Sequence, residues 1–189
     1  MKKSGKIRGF QRTTVFNGKR KVGIDTNILI KLYSQPFLFS YEESRIFNFK
    51  DIIFTHAICF RELIKYLMEK DLTEIKAKEE AKRFLKDHNI NLIYPRECFV
   101  SEKEVEEFEK ESNIELKKFR KDYLKCHKPD SIILLAFKKC RINKIISTDE
   151  SFRRCAKFMN IDASSIPSLD KAISREFKKI FNYKKKRKY

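Results

Sequence analysis

The chain has 189 residues, of which 41% are hydrophobic, so it can bury one proper core as a single compact domain. This composition excludes a disordered protein. No stretch approaches the roughly 18 to 20 uncharged apolar residues of a membrane span, and the N-terminus lacks the apolar core of a signal peptide. We therefore expect a cytoplasmic protein without a membrane partner.

The formal net charge of +18 is concentrated at the two ends of the chain. Residues 1–21 contain eight basic and no acidic residues, and residues 175–189 contain eight basic residues and one acidic residue. We predict a basic N-terminal arm (1–21), a central domain (22–174) and a basic C-terminal tail (175–189). The arms are suited to lie along a nucleic acid, although solubilising tails without a specific partner are the alternative. The predicted nucleic-acid-binding residues are Arg20, Lys21, Lys184, Lys185, Lys186, Arg187 and Lys188.

Five cysteines are present, and none of them forms a C-x-x-C pair. Neither a disulfide framework nor a zinc knuckle is therefore predicted. Most of the cysteines fall on apolar faces, where they are expected to be small core residues.

The first half of the chain alternates short apolar runs with stretches of helical periodicity. Strands are predicted at Val22–Asp25, at residues 51–54 and at residues 90–94, the last of them stopped by Pro95. Helices are predicted from Asn27 to about Leu32, after Thr55 as the N-cap, and from about Thr73 to Asp87.

The second half continues this alternation after a charged segment. Within the charged segment 95–127, residues 101–125 have a weak apolar period, which indicates exposed helices that form an arm or a partner surface. A buried helix follows from Asp130, then a fourth strand at residues 144–147, a helix from about Thr148 to Met159, a short edge strand within residues 161–166 and a last helix opened by Pro167 and Ser168. The pattern predicts a three-layer α/β/α sandwich, Rossmann-like, with a central parallel sheet of four or five strands.

Four acids lie just after an apolar strand-like run or inside the first turns of an apolar helix: Asp25, Glu62, Asp130 and Asp149. Asp25 directly follows a buried strand, where no turn or cap requires it, and the carboxyl edge of an open α/β sheet is the usual place for a site. Glu62 interrupts an apolar helix face. Hard divalent cations prefer oxygen ligands, so these acids are predicted to form one Mg²⁺ or Mn²⁺ site.

Each acid also has an ordinary structural explanation. Asp130 and Asp149 are placed like acids that stabilise a helix N-terminus. Glu62 must be paired, exposed at the helix edge or bound to a metal. The three histidines lack a triad partner by spacing and are expected to be surface or capping residues.

Four motifs together resemble the PIN domain, the small nuclease fold of VapC-type toxin ribonucleases and RNA-processing endonucleases. They are Asp25-Thr26-Asn27 after an apolar strand, Glu62 in an Arg-Glu-Leu-Ile helix, Asp130 leading into an apolar helix, and Ser147-Thr148-Asp149 followed by Phe152. The resemblance implies metal-dependent phosphodiester hydrolysis by the four acids, with Asn27 and Ser147 or Thr148 in support. The charged segment 95–127 and both basic arms are additions to this pattern.

The function expected from the sequence is that of a metal-dependent endoribonuclease, active in RNA processing or maturation. Structured RNA would be bound by the basic arms, and unpaired bases would stack on aromatic residues such as Tyr33, Phe37 and Phe39. Two alternatives stay open: a VapC-type toxin held by an antitoxin, and a catalytically weak RNA-binding scaffold in a ribonucleoprotein. A homodimer is compatible with each of them.

Overall fold

The structure is a computed structural model that describes residues 20–35, 51–119, 121 and 123–166. Its strands are β1 (Lys21–Ile24), β2 (Ile52–His56), β3 (Ile90–Ile93), β4 (Lys144–Ile146) and β5 (Asp162–Ser164). The helices in these residues are α1 (Thr26–Ser34), α2 (Ala57–Met68), α3 (Glu74–Asp87), α4 (Glu102–Lys117), α5 (Asp130–Lys139) and α6 (Glu150–Phe158). Nearly all of the N-terminal arm, the predicted last helix and the C-terminal tail lie outside the described residues.

The five described strands form one parallel sheet in the order β3-β2-β1-β4-β5. The chain runs outward from β1 to β3 and then returns to place β4 on the other side of β1. Gly23 is opposite Ile145 and Ile24 is opposite Ile146, so β1 and β4 end side by side. Open α/β sheets bind ligands outside the carboxyl ends of the strands at such a reversal of strand order.

The helices form two groups around the sheet. Helices α1, α2 and α3 pack against one another, and α4, α5 and α6 form the second group. The result is the predicted three-layer α/β/α fold with a five-stranded parallel sheet. No helix in the described ranges is long and apolar enough to cross a membrane.

The central strand β1 packs tightly against α5. Val22 and Ile24 are fully buried, and so is Phe137 of α5. A Cβ atom added to Gly23 would lie 2.7 Å from the ring of Phe137. Glycine is therefore needed at this position for the close approach of strand and helix.

The prediction that Thr55 caps the second helix is wrong. Thr55 belongs to β2, and its hydroxyl donates to the carbonyl oxygen of Ile24 at 3.1 Å. The N-cap of α2 is His56, whose Nδ1 accepts from the backbone N–H of Ile58 at 3.2 Å. Burial lowers the pKa of His56 to about 4, which keeps the imidazole neutral and able to accept this bond.

The charged segment 95–127 is packed more closely than the sequence indicates. Its described residues contain one long helix, α4, which begins with a capping box between Ser101 and Glu104. The apolar period is the buried face of this helix: Val105, Phe108 and Leu116 are nearly inaccessible, and the helix contacts α5 and α6. The segment is therefore part of the domain core on one face, and only its other face is exposed.

The prediction that the cysteines form no disulfide framework is wrong for one pair. Cys98 and Cys140 form a disulfide across 42 residues, joining the segment before α4 to the end of α5. The other three cysteines are buried free thiols, as expected for small core residues. The pairing was missed because the two cysteines become neighbours only through the packing of α5 beside the loop.

Candidate active site

Ser147 connects two of the four predicted acids. It follows β4 as Asp25 follows β1, and because these strands are adjacent the two side chains meet at the carboxyl edge of the sheet. The Ser147 hydroxyl donates to Oδ2 of Asp25 and accepts from the backbone N–H of Asp149 at 2.9 Å. One buried hydroxyl thus fixes both the orientation of Asp25 and the loop that leads to Asp149.

Asp25 and Asp149 are also helix caps. Oδ1 of Asp25 accepts from the backbone N–H of Ile28 at 3.0 Å, at the start of α1. Oδ1 of Asp149 accepts from Phe152 at 2.7 Å, at the start of α6. The inference that no cap requires Asp25 is therefore wrong, while the capping role considered for Asp149 is present. The helix N-termini offset part of the negative charge of both carboxylates.

Glu62 lies on α2 and points toward α1. It is half-buried, and its carboxylate accepts a short hydrogen bond from the hydroxyl of Thr26. Thr26 is the residue after Asp25, so the same turn that carries the first acid also orients the second. The sequence left Glu62 to be paired, exposed at the helix edge or bound to a metal, and the structure pairs it with Thr26 by this hydrogen bond.

Asp130 is the first residue of α5 and is half-buried. Within residues 20–35, 51–119, 121 and 123–166, its carboxylate makes no hydrogen bond. The segment in front of it is held by α4: the side chain of Asn113 accepts from the N–H of Cys126 at 2.8 Å and donates to its carbonyl oxygen at 2.9 Å. Ser131, next to Asp130, donates to Glu109 at 2.5 Å.

These two residues of α4 were missed by sequence reasoning. Glu109 and Asn113 stand in a charged helix without a distinguishing motif. Their spacing of four residues, which puts both on one helix face, was the only available signal. Their partners are known only once α4 is placed beside α5.

The four acids influence one another electrostatically. Burial raises the pKa of Asp25 to about 6, against the hydrogen bonds from Ser147 and Ile28, and the charges of Asp130 and Asp149 add to the rise. Burial likewise raises the pKa of Asp130 to about 6, with further contributions from Asp149 and Glu62 and an opposing one from His127. Negative charge is therefore costly here unless a cation offsets it.

A divalent cation fits this site by donor type and by charge. Hard cations take carboxylate oxygens, and the Asp130 carboxylate is without another partner in the described residues. In the arrangement described, however, no three acidic, histidine or cysteine side chains of the described residues converge closely enough to hold one ion. The acids are thus gathered at one edge but not closed around one point.

Other predicted residues lie around or away from this edge. Asn27 is exposed on α1 and Thr148 is half-buried beside Ser147. Arg20 forms a two-bond ion pair with Asp51, at 3.0 and 2.6 Å, where β1 and β2 begin. Lys21 donates to the carbonyl oxygen of Cys140 at 3.2 Å. Both basic residues therefore lie at the opposite edge of the sheet, about 13 Å from the acids along a four-residue strand.

Tyr33, proposed from the sequence as a base-stacking residue, is half-buried, and its ring makes an edge-to-face contact with Phe84 with centroids 5.5 Å apart. Phe37, Phe39 and the five basic residues 184–188 fall outside the described residues.

No model of a known protein family matches the sequence, and no curated protein is significantly similar to it. Among solved structures, the chain is similar to VapBC-1 from nontypeable Haemophilus influenzae, with 18% identity and a TM-score of 0.51 over 77% of this chain and 97% of that one. Weaker matches are VapBC2 from Rickettsia felis bound to a promoter DNA fragment (15% identity, TM-score 0.45, 77% and 98% coverage) and a domain of a functionally unknown protein from Methanocaldococcus jannaschii (17%, 0.44, 79% and 93%).

The similarity to VapBC-1 defines the class of fold. The chain shares its fold with VapBC-1, which agrees with the resemblance of its motifs to the PIN domain. At 18% identity the similarity concerns the fold and leaves the activity to be argued from the site itself.

Proposed function

We propose that this protein is an endoribonuclease that hydrolyses RNA phosphodiester bonds with Mg²⁺ or Mn²⁺, in RNA processing or maturation. The observation that supports it best is the gathering of Asp25, Glu62, Asp130 and Asp149 from four distant segments at the point of the sheet where strand order reverses. Neighbouring acids of one sign, one of them buried and three half-buried, are not a stabilising arrangement by themselves. Such a cluster is typical of a functional site.

The four acids would hold the metal. When bound, a divalent cation would activate a water molecule, orient the scissile phosphate and stabilise charge on the leaving oxygen. Ser147 would keep Asp25 and the Asp149 loop in fixed orientation, and Thr26 would do the same for Glu62. Glu109 and Asn113 would hold the segment that carries Asp130. No histidine, serine or cysteine nucleophile is needed.

The substrate class follows from charge. The net charge of +18 favours a polyanion, and the basic ends, residues 1–21 and 175–189, would add affinity without sequence information. The central domain, residues 22–174, would then contain the chemistry and the ends would grip a structured RNA. We place this activity in the cytoplasm.

A toxin role is the second candidate. VapBC-1, whose fold the chain shares, is a toxin–antitoxin pair by its name. An antitoxin partner that covers the acidic edge would keep such a nuclease silent. A small gene for such a partner directly upstream would favour this reading, and a neighbourhood of ribosome or translation genes would favour processing.

The test is cleavage of RNA by the purified full-length protein in Mg²⁺, in Mn²⁺ and in EDTA. We expect metal-dependent cleavage that falls at least a hundredfold in Asp25→Asn and in Asp149→Asn, whereas Glu111→Gln, an exposed acid on α4, should cleave normally. Equal cleavage by all four proteins would overturn the proposal. Tight RNA binding without turnover in either metal would instead favour the scaffold in a ribonucleoprotein.

A further inference from the structure

Helix α6, which begins directly after Asp149, carries two consecutive arginines with different surroundings. Arg154 is paired: its Nε and Nη2 both donate to Glu150, at 2.9 and 2.7 Å, and its guanidinium lies 3.8 Å from the ring centroid of Phe119. Arg153 is half-buried as well, but it forms no ion pair with an acid of the described residues. A carboxylate therefore neutralises one of these arginines and leaves the other with its charge.

Arg153 is held against the backbone of the acidic site. Its Nη1 donates to the carbonyl oxygen of Ser147 at 2.8 Å, and its backbone N–H donates to the carbonyl oxygen of Asp149 at 3.2 Å. Ser147 is also the residue whose hydroxyl orients Asp25. The guanidinium is thus tied to the residue that positions the acids, which fixes its place relative to them.

The bond to Ser147 leaves most of the guanidinium unused. Arginine presents several N–H groups in one rigid plane, and within the described part of the chain a single bond, from Nη1, engages the Arg153 side chain. A half-buried cation without a carboxylate partner has lost part of its hydration without gaining an ion pair, which is unfavourable. Phosphate oxygens match the remaining N–H groups, because arginine binds phosphate in a bidentate manner.

The position of Arg153 is beside the acids. Asp149 and Arg153 are four residues apart, so their Cβ atoms lie about 5 to 6 Å apart on one face of the first turn of α6. The Ser147 hydroxyl bonds to Asp25, which follows β1. The backbone N–H of Ser147 instead donates to Ser164 of β5 at 3.1 Å, and α6 packs against the same strand. Arg153 therefore stands on the β5 side of the acids.

We propose that Arg153 binds a backbone phosphate of the RNA, the one next to the phosphate that is cleaved. This inference rests on the proposed nuclease function, in which the acids and their metal take the cleaved phosphate itself. Arg153 would hold the neighbouring phosphate while the carbonyl of Ser147 holds the guanidinium. The contact would fix the strand relative to the acids without reading its sequence. Arg154, already neutralised by Glu150, would take no part.

The first test is the binding of short single-stranded RNA to full-length protein in EDTA, measured by fluorescence anisotropy at several KCl concentrations. Loss of one phosphate contact should lower the slope of log affinity against log salt by about 0.7. We expect this decrease in Arg153→Gln, with about tenfold weaker binding at low salt. Arg153→Lys keeps the charge and should keep the slope. An unchanged slope in Arg153→Gln would refute the inference.

Arg154→Gln is the matched control for this test. It removes the same charge one residue away, and Glu150 keeps its bonds from Lys121 and Tyr123. We expect the wild-type slope in this variant. A decrease as large as that of Arg153→Gln would mean that only the net charge matters, and it would overturn a specific contact by Arg153.

The second test is a chemical double-mutant cycle in cleavage. Once the bond cleaved by the wild type is mapped, a neutral methylphosphonate in a 2′-deoxy nucleotide replaces the phosphate on either side in turn, and the same 2′-deoxy nucleotide with its phosphate is the control. At one of the two positions the replacement should lower kcat/KM of the wild type about tenfold. Arg153→Gln should be almost insensitive there, because the contact is already lost. Equal decreases in both proteins at both positions would refute the contact.

Two readouts distinguish this role from a structural one. Mn²⁺ affinity and thermal unfolding should be the same in Arg153→Gln as in the wild type, because the glutamine amide can still donate to the Ser147 carbonyl. Tighter Mn²⁺ binding would mean that Arg153 only offsets the charge of the acids, and weaker binding with a lower Tm would mean that it only supports Ser147. Either result would overturn the inference.

The outcomes also separate this inference from the proposed function. If the wild type cleaves RNA and Arg153→Gln keeps the wild-type salt slope, the phosphate site is refuted and the nuclease stands. If Arg153→Gln loses part of the slope and the wild type never cleaves in Mg²⁺ or Mn²⁺, the phosphate site stands and the nuclease proposal fails.

Discussion

Replacing Asp25 by Asn should make the metal-free protein more stable at neutral pH while it abolishes cleavage. The carboxylate is 5% exposed, and burial among other acids raises its pKa to about 6. Asparagine has nearly the same shape without the charge. It is also a good N-cap, so the hydrogen bond from Ile28 at the start of α1 should be kept.

The magnitude follows from the shift in pKa. The value rises from 3.8 to about 6, which is about two units, and each unit corresponds to about 1.4 kcal/mol. Ionised Asp25 therefore lowers the free energy of unfolding by about 3 kcal/mol at pH 7. Since the raised value belongs to the folded state, the loss begins as pH rises above about 4 and is complete above about 6.

The assay is urea unfolding followed by circular dichroism, at several pH values between 4 and 8 in EDTA. We expect Asp25→Asn to exceed the wild type by about 1 to 3 kcal/mol at pH 7 and to match it near pH 4. A cation at a hundred times its dissociation constant should then stabilise the wild type by about 2.7 kcal/mol and the variant much less. Glu111→Gln, the exposed control, should follow the wild type throughout.

A variant that is less stable than the wild type at pH 7, or a difference that does not change between pH 4 and pH 7, would refute this reasoning. Either result would mean that Asp25 is needed chiefly as a structural cap and that its charge is not strained. The acidic cluster would then lose its main electrostatic argument for a metal.

Three further changes test the framework of the site. Gly23→Ala should lower the free energy of unfolding by about 1 to 3 kcal/mol, because the new methyl group meets the buried ring of Phe137. The double variant with Phe137→Leu should recover part of this loss, and full stability of the single variant would contradict the packing. Asn113→Ala should lower the free energy of unfolding by about 1 to 3 kcal/mol and weaken Mn²⁺ binding in a titration, since both backbone groups of Cys126 lose their partner. Unchanged Mn²⁺ affinity would mean that these two hydrogen bonds do not support the site. Ser147→Ala should slow cleavage at least tenfold and Ser147→Thr should retain most of it, as measured by single-turnover rates, and equal rates in both would argue against an orienting hydroxyl.

The sequence predicted the order of the elements because most of the strands and helices have a recognisable local hydrophobic pattern. Asp25 stands after a buried strand and Asp149 after another, and parallel strands put their carboxyl ends at one edge, so two of the acids could be brought together without coordinates. Glu62 was conspicuous because a charge within an apolar helix face needs an explanation.

Other features escaped because they depend on surroundings that no local pattern encodes. His56, and not Thr55, caps α2 because β2 extends to His56 before the helix begins. The Cys98–Cys140 disulfide, and the hold of Asn113 on Cys126, join residues that are distant in the chain. Helix α4 was predicted to be exposed because charge dominates its composition, although one narrow apolar face suffices to bury it.

Three features of this protein were determined by its sequence alone. The alternation of apolar strands and helices determined the α/β class, the acids after strands and in apolar helices determined the candidate site, and the basic residues near the two ends determined the excess of positive charge there. Only the tertiary structure decided how those acids are held and that Arg20 and Lys21 lie at the far edge of the sheet. The reason is physical: a strand or a helix is specified by neighbours in the chain, whereas hydrogen-bond partners, burial and shifts in pKa arise from groups that only the folded packing brings within reach.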